Sequence, residues 1–118
     1  MTLPNLPEPI ERYFAAKSSS SAEETLACFA RDAAVWDNGE DLELRGKDAI
    51  RDWMTGTISG YDLTTEVQGL EEWEHRHVVR AVVSGNFPGS PYAFDYRFLL
   101  RDGKIAELAI DPVGPVAT

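Results

Sequence analysis

One cysteine among 118 residues, Cys28, leaves nothing for an intrachain disulfide, and its place in a run with helical spacing reads as a small buried hydrophobe. Basic residues are also scarce. Eleven Lys and Arg stand against twenty Asp and Glu, for a net charge of −9, and a surface of that sign repels phosphate backbones and anionic lipid heads. Nucleic acid and membrane surfaces are therefore excluded as expected partners, leaving neutral, apolar or basic ones. No segment approaches the ~20 apolar residues of a membrane span, and Met1 to Pro9 lacks the basic start and apolar centre of a leader peptide. The expectation is a soluble cytoplasmic protein. Gly-rich phosphate loops, nucleophile elbows and a Ser/His/Asp order are all missing. His75 and His77 form an H-x-H pair without a third ligand, and the glutamates flanking them read as a solvated turn. No metal and no cofactor are expected.

A chain of 118 residues is long enough for one core, and one domain spanning residues 1–118 is expected. Pro9 suits a first helical turn, and the spacing of Ile10, Tyr13, Phe14 and Lys17 predicts a helix over about 8–17, with Tyr13 on its inward stripe. Ser21-Ala22-Glu23-Glu24 has the form of a capping box and predicts a second helix to about residue 30. Ala33 to Trp36 reads as a strand closed by Asp37-Asn38-Gly39, and Leu42 to Arg45 as a second short strand. A third helix starts at Gly46-Lys47-Asp48 and carries Ile50, Trp53, Met54 and Ile58 on one face. Period-two runs over about 62–73, 77–87, 92–101 and 104–111 predict an antiparallel meander. Pro88-Gly89 and Asp102-Gly103 supply two of its turns. Helices followed by a run of strands give an α+β fold.

Three phrases, taken in order, carry a resemblance: Arg12-Tyr13; Phe29-Ala30-Arg31-Asp32-Ala33 with Val35-Trp36-Asp37; and Gly46-Lys47-Asp48-Ala49-Ile50-Arg51. In them the chain resembles the nuclear transport factor 2-like superfamily, the cone-shaped fold of ketosteroid isomerase and the SnoaL-like polyketide cyclases. The resemblance implies three N-terminal helices packed on a curved, mainly antiparallel sheet, and a homodimer formed through the sheet. It also implies a cup for a small apolar or aromatic ligand. By position Tyr13 matches the tyrosine that donates to a dienolate oxygen, and Asp37 matches the base that moves a proton between carbons. The isomerase has a third group, an aspartic acid that its apolar site keeps protonated.

Here the third position departs from that pattern. Phe94, Tyr96, Phe98 and Leu100 alternate onto one face, while Asp95, Arg97 and Arg101 share the other. Tyr96 then lines the cup and Asp95 pairs with Arg97 outside, unless a one-residue bulge turns Asp95 inward as a further catalytic candidate. Asp37 reads either as a cup carboxylate, in phase with Val35, or as an ordinary turn residue. Phe14, Trp53, Met54, Phe98 and Val35 read either as a ligand-binding wall or as plain core. A proton-abstracting isomerase or cyclase and a noncatalytic ligand-binding or dimerisation module both fit.

Overall fold

Pro7 closes the chain's entry into α1 (Glu8–Ser18), its carbonyl oxygen accepting from the backbone N–H groups of Ile10 and Glu11 at 3.0 and 2.9 Å. The molecule is seen here as a computed structural model describing residues 6–18, 22–58, 64–73, 76–85 and 90–116. Ile10, Tyr13 and Phe14 form the buried stripe of α1, as their spacing predicts. Helix α2 (Ala22–Leu26) is shorter than its sequence suggests, because Phe29 is already drawn into β1 (Phe29–Asp37) beside Ile105. The expected capping serine, Ser21, the Pro88-Gly89 turn and His75 lie outside the described residues.

Strand β1 turns through Asn38–Asp41 into β2 (Leu42–Arg45). Gly46, at φ +84°, then donates its N–H to Ala33 O at 2.9 Å and accepts from Ile50 at 3.1 Å, pinning the start of α3 (Lys47–Ile58) to β1. The strands β3 (Thr64–Trp73), β4 (Arg76–Ser84), β5 (Tyr92–Arg101) and β6 (Lys104–Pro115) form the expected meander. Between β5 and β6, Asp102 and Gly103 both have positive φ, the conformation that a two-residue Asp-Gly hairpin requires.

The six strands make one sheet in the order β2-β1-β6-β5-β4-β3. All neighbours are antiparallel except β1 and β6, which run parallel. Sequence periodicity carries no signal for that pairing. The register lays Asp37, Ile110, Tyr96, Val79 and Leu70 in one row across five strands, and Val35, Leu108, Phe98, His77 and Glu72 in the next. The members of these rows on the central strands face the helices: Val35, Leu108 and Val79 are fully buried, and Tyr96 and Phe98 are 1% exposed. Among the described residues no helix is long and apolar enough to cross a membrane.

Candidate active site

Helix α1 sets Tyr13 and Phe14 against β5. The ring centroid of Tyr13 lies 5.6 Å from that of Phe98 and 5.9 Å from that of Phe29, and Phe14 lies 5.1 Å from Tyr96, all edge to face. Each such pair adds about 0.5–1.5 kcal/mol to its area burial. Tyr13 is 1% exposed. Burial first, then the nearby Tyr96, Asp37 and Cys28, pushes its phenol well above the usual tyrosine range. Tyr13 therefore stays protonated.

Asp37 ends β1 on the inward-facing row, half-buried, and its Oδ2 accepts from Trp53 Nε1 at 2.9 Å. It is the last strand residue before a turn, and its carboxylate reaches α3 through Trp53. Trp53 lies between the fully buried Ile50 and Met54 on the inward face of α3. Val35, Met54, Phe14 and Phe98 are packed in the same core cluster as Tyr13 and Tyr96.

Tyr96 faces inward, as strand phase predicts, and Asp95 faces outward. The expected partner of Asp95 is corrected, however. Asp95 is bonded by Arg80, directly opposite on β4, while Arg97 reaches Asp111 on β6 at 2.6 Å. Cross-strand neighbours stand closer than residues two apart on one strand, so the sheet register, not the local sequence, chooses the partner. Trp36 also points outward, giving its Nε1–H to Glu43 at 2.9 Å, with the Arg45 guanidinium 5.8 Å from its ring.

Among the described residues, two side-chain hydrogen bonds at the site join residues too far apart in sequence to be linked by periodicity. One is the Trp53–Asp37 bond; a tryptophan on an inward stripe, whose N–H must find an acceptor, is the signal that points to it. The other is the bond from Asn38 Nδ2 to Asp111 Oδ1, 2.5 Å long across 73 residues, which fixes the turn after Asp37 to β6.

Two cavities lie away from Asp37. One of about 550 Å³ opens between α1, α2 and the β5–β6 hairpin, where Arg12, Glu24, Cys28 and Lys104 line it. Another of about 310 Å³ lies on the outer sheet face by Trp36, Arg97 and Leu99. Each mixes both signs of charge at a wide surface opening. The Asp37 carboxylate bonded to the Trp53 indole is the more chemically defined arrangement. Among the described residues no group of three His, Cys, Asp or Glu could hold a metal ion.

A family model of the SnoaL-like domain matches residues 10–108. A solved structure from Sinorhizobium meliloti, described as a candidate polyketide cyclase, is 35% identical with a TM-score of 0.82, covering 90% of this chain and 95% of its own. A Catenulispora acidiphila protein with a ketosteroid isomerase-like fold, solved with trimethylamine, is 18% identical with a TM-score of 0.79, over 92% and 85% of the two chains. A nuclear transport factor 2-like protein of unknown function from Burkholderia xenovorans is 12% identical with a TM-score of 0.78, over 94% and 84%. At such low identity the last two show the fold alone. No curated protein matches the chain.

Proposed function

Since this chain belongs to the SnoaL-like domain family, we propose that its helices and inner sheet face form a cup for a small, flat, apolar carbonyl compound, from which Asp37 removes a proton alpha to the carbonyl. The C–H bond breaks, the proton passes to Asp37, and the electron pair moves onto the carbonyl oxygen. Tyr13, together with Tyr96, donates hydrogen bonds to that developing enolate oxygen. Return of the proton to another carbon completes an isomerisation; attack of the enolate carbon on a second carbonyl, whose π electrons move to its oxygen as that oxygen takes the proton from Asp37, completes a cyclisation. The observation that carries this reading is the Asp37 carboxylate, turned inward and held by Trp53 at the edge of an interior otherwise built from aromatic and aliphatic side chains. Deuterium uptake at C1 of 2-tetralone in D2O tests it. The parent protein should accelerate uptake and Asp37→Asn should lose about a hundredfold or more, within the range for removal of a general base. Equal rates in the two proteins would remove Asp37 from the chemistry.

A second reading is supported by the closeness of the aromatic packing. Tyr13, Tyr96 and Phe98 are almost wholly enclosed, leaving half-buried Asp37 and Trp53 as the groups nearest a ligand. On this reading the domain holds a ligand without changing it, and a carboxylate among rings favours an amine. Native mass spectrometry of the purified protein separates the two: a retained basic ligand, unaltered after incubation, favours binding. In either case the outer sheet face, with Trp36, Val78, Leu99 and Ala109 among its ion pairs, is the surface we assign to a homodimer. Sedimentation should give twice 13.1 kDa, and Leu99→Asp should halve it.

A further inference from the structure

A carboxylate at the end of a strand has two free torsions, and nothing in the strand itself decides which oxygen meets a substrate. In this chain the decision comes from α3. The indole N–H of Trp53 donates to Asp37 Oδ2 at 2.9 Å across sixteen residues of sequence. The backbone of Trp53 is held by neighbours Ile50 and Met54, both fully buried. Among the described residues none donates to Oδ1. On the flank of Oδ1 stands Gly39, where a Cβ would come within 3.8 Å of that oxygen. Glycine leaves the flank open.

We propose that Trp53 is the positioning residue for the base: it occupies Oδ2 and leaves Oδ1 as the single oxygen that takes and returns the proton. This rests on the reading of Asp37 as the base. Indole nitrogen is a donor and never an acceptor. The indole bond is stronger to a carbonyl oxygen than to a hydroxyl oxygen, so holding Oδ2 favours the proton taken from the substrate on Oδ1, from which it returns at the same point in space. Abstraction and return then occur on one face of the substrate, with no carboxylate rotation between them. A bond to an ionised acceptor is also among the stronger hydrogen bonds, which suits it to fixing an angle.

The test keeps the shape of the side chain and removes only the donor. Full-length protein carrying β-(3-benzothienyl)alanine at position 53, in which sulfur replaces N–H, is compared with the parent, Trp53→Phe and Trp53→His in 2-tetralone deuterium exchange. The expected result is a kcat lower by ~10- to 100-fold at unchanged KM in the benzothienyl protein, the loss of one hydrogen bond to a charged group. Its melting temperature should stay near that of the parent, and Trp53→His should recover part of what Trp53→Phe loses. Independently of turnover, one indole signal in the ¹⁵N–¹H spectrum should move on Asp37→Asn. An unchanged kcat in the benzothienyl protein, or a loss confined to KM, overturns the positioning role. If Asp37→Asn exchanges as fast as the parent, it is the reading of Asp37 as base that falls. If the parent does not exchange the probe at all, a stationary indole signal overturns the hold on the carboxylate, and a moving one sustains it.

Discussion

The ring of Tyr13 stands edge-on to that of Tyr96, centroids 6.3 Å apart at 61°. The two phenols assigned to one enolate oxygen thus come from a helix and a strand that meet through these rings. Function and packing can be separated at Tyr13. Replacing it by Phe keeps the ring contacts and removes only the hydroxyl, so stability should change by no more than about 1 kcal/mol, whereas exchange should fall about tenfold or more. Tyr13→Ala should cost about 3–5 kcal/mol through the cavity it leaves. Urea denaturation and deuterium exchange on the same samples check both numbers. In a double-mutant cycle with Tyr96→Phe the exchange losses should not add, because the two donors serve one oxygen.

Alkali offers a second handle on the same residue. Burial, then neighbouring Tyr96, Asp37 and Cys28, raises the folded-state value of Tyr13 above that of an unfolded tyrosine. A group raised in this way lends its full stability below the unfolded value, near pH 10, and loses it as pH climbs toward the folded one. Absorbance at 295 nm should therefore show a tyrosinate that appears only together with loss of near-ultraviolet dichroism. Tyr13→Phe should unfold at higher pH than the parent.

Acid acts through Asp111. Its partial burial pushes the carboxyl up, but bonds from Asn38 and Arg97, with the charge of Arg97, outweigh this and leave it below the usual range. A lowered folded value means that the contribution is complete above the unfolded value, near pH 4, and is lost as pH falls through the folded one. Asp111→Asn should therefore be less stable than the parent at pH 6, by a margin that shrinks as pH falls below 4, as read by urea titration at each pH. Because Asn38 follows Asp37, the same variant should loosen the turn beside the carboxylate and lower exchange at pH 6.

His77 is a polar side chain 8% exposed in the inward row next to Phe98, and its Nδ1 is buried without a partner among the described residues. Leaving a buried polar atom unpaired costs about 1–3 kcal/mol. His77→Leu, which removes that atom at similar volume, should raise stability by about 1 kcal/mol. A lower denaturation midpoint in His77→Leu would show that the imidazole is satisfied in solution.

The sequence disclosed the elements whose signals are local. The stripe Ile10, Tyr13, Phe14, the Asp102-Gly103 hairpin and the alternation that turns Tyr96 inward all follow from spacing and turn chemistry within a few residues. What escaped depends on partners brought together by the sheet. The end of α2 was set by Phe29 pairing with Ile105, and the partner of Asp95 by the β4–β5 register rather than by Arg97 two residues on. The hold of Trp53 on Asp37 links a helix to a strand across sixteen residues, a distance at which neither period has anything to say.

The parallel seam between β1 and β6 also has a temporal meaning. Among the described residues the β1–β2 hairpin, which carries Asp37, joins the rest of the sheet through β6, the last of the six described strands in chain order. Contacts between such distant segments form late, because the long intervening loop must close first. During synthesis the meander must emerge before Asp37 has a neighbour at Ile110. The carboxylate proposed to do the chemistry can meet Trp53 as soon as α3 forms, but gains its sheet neighbour Ile110 only with β6.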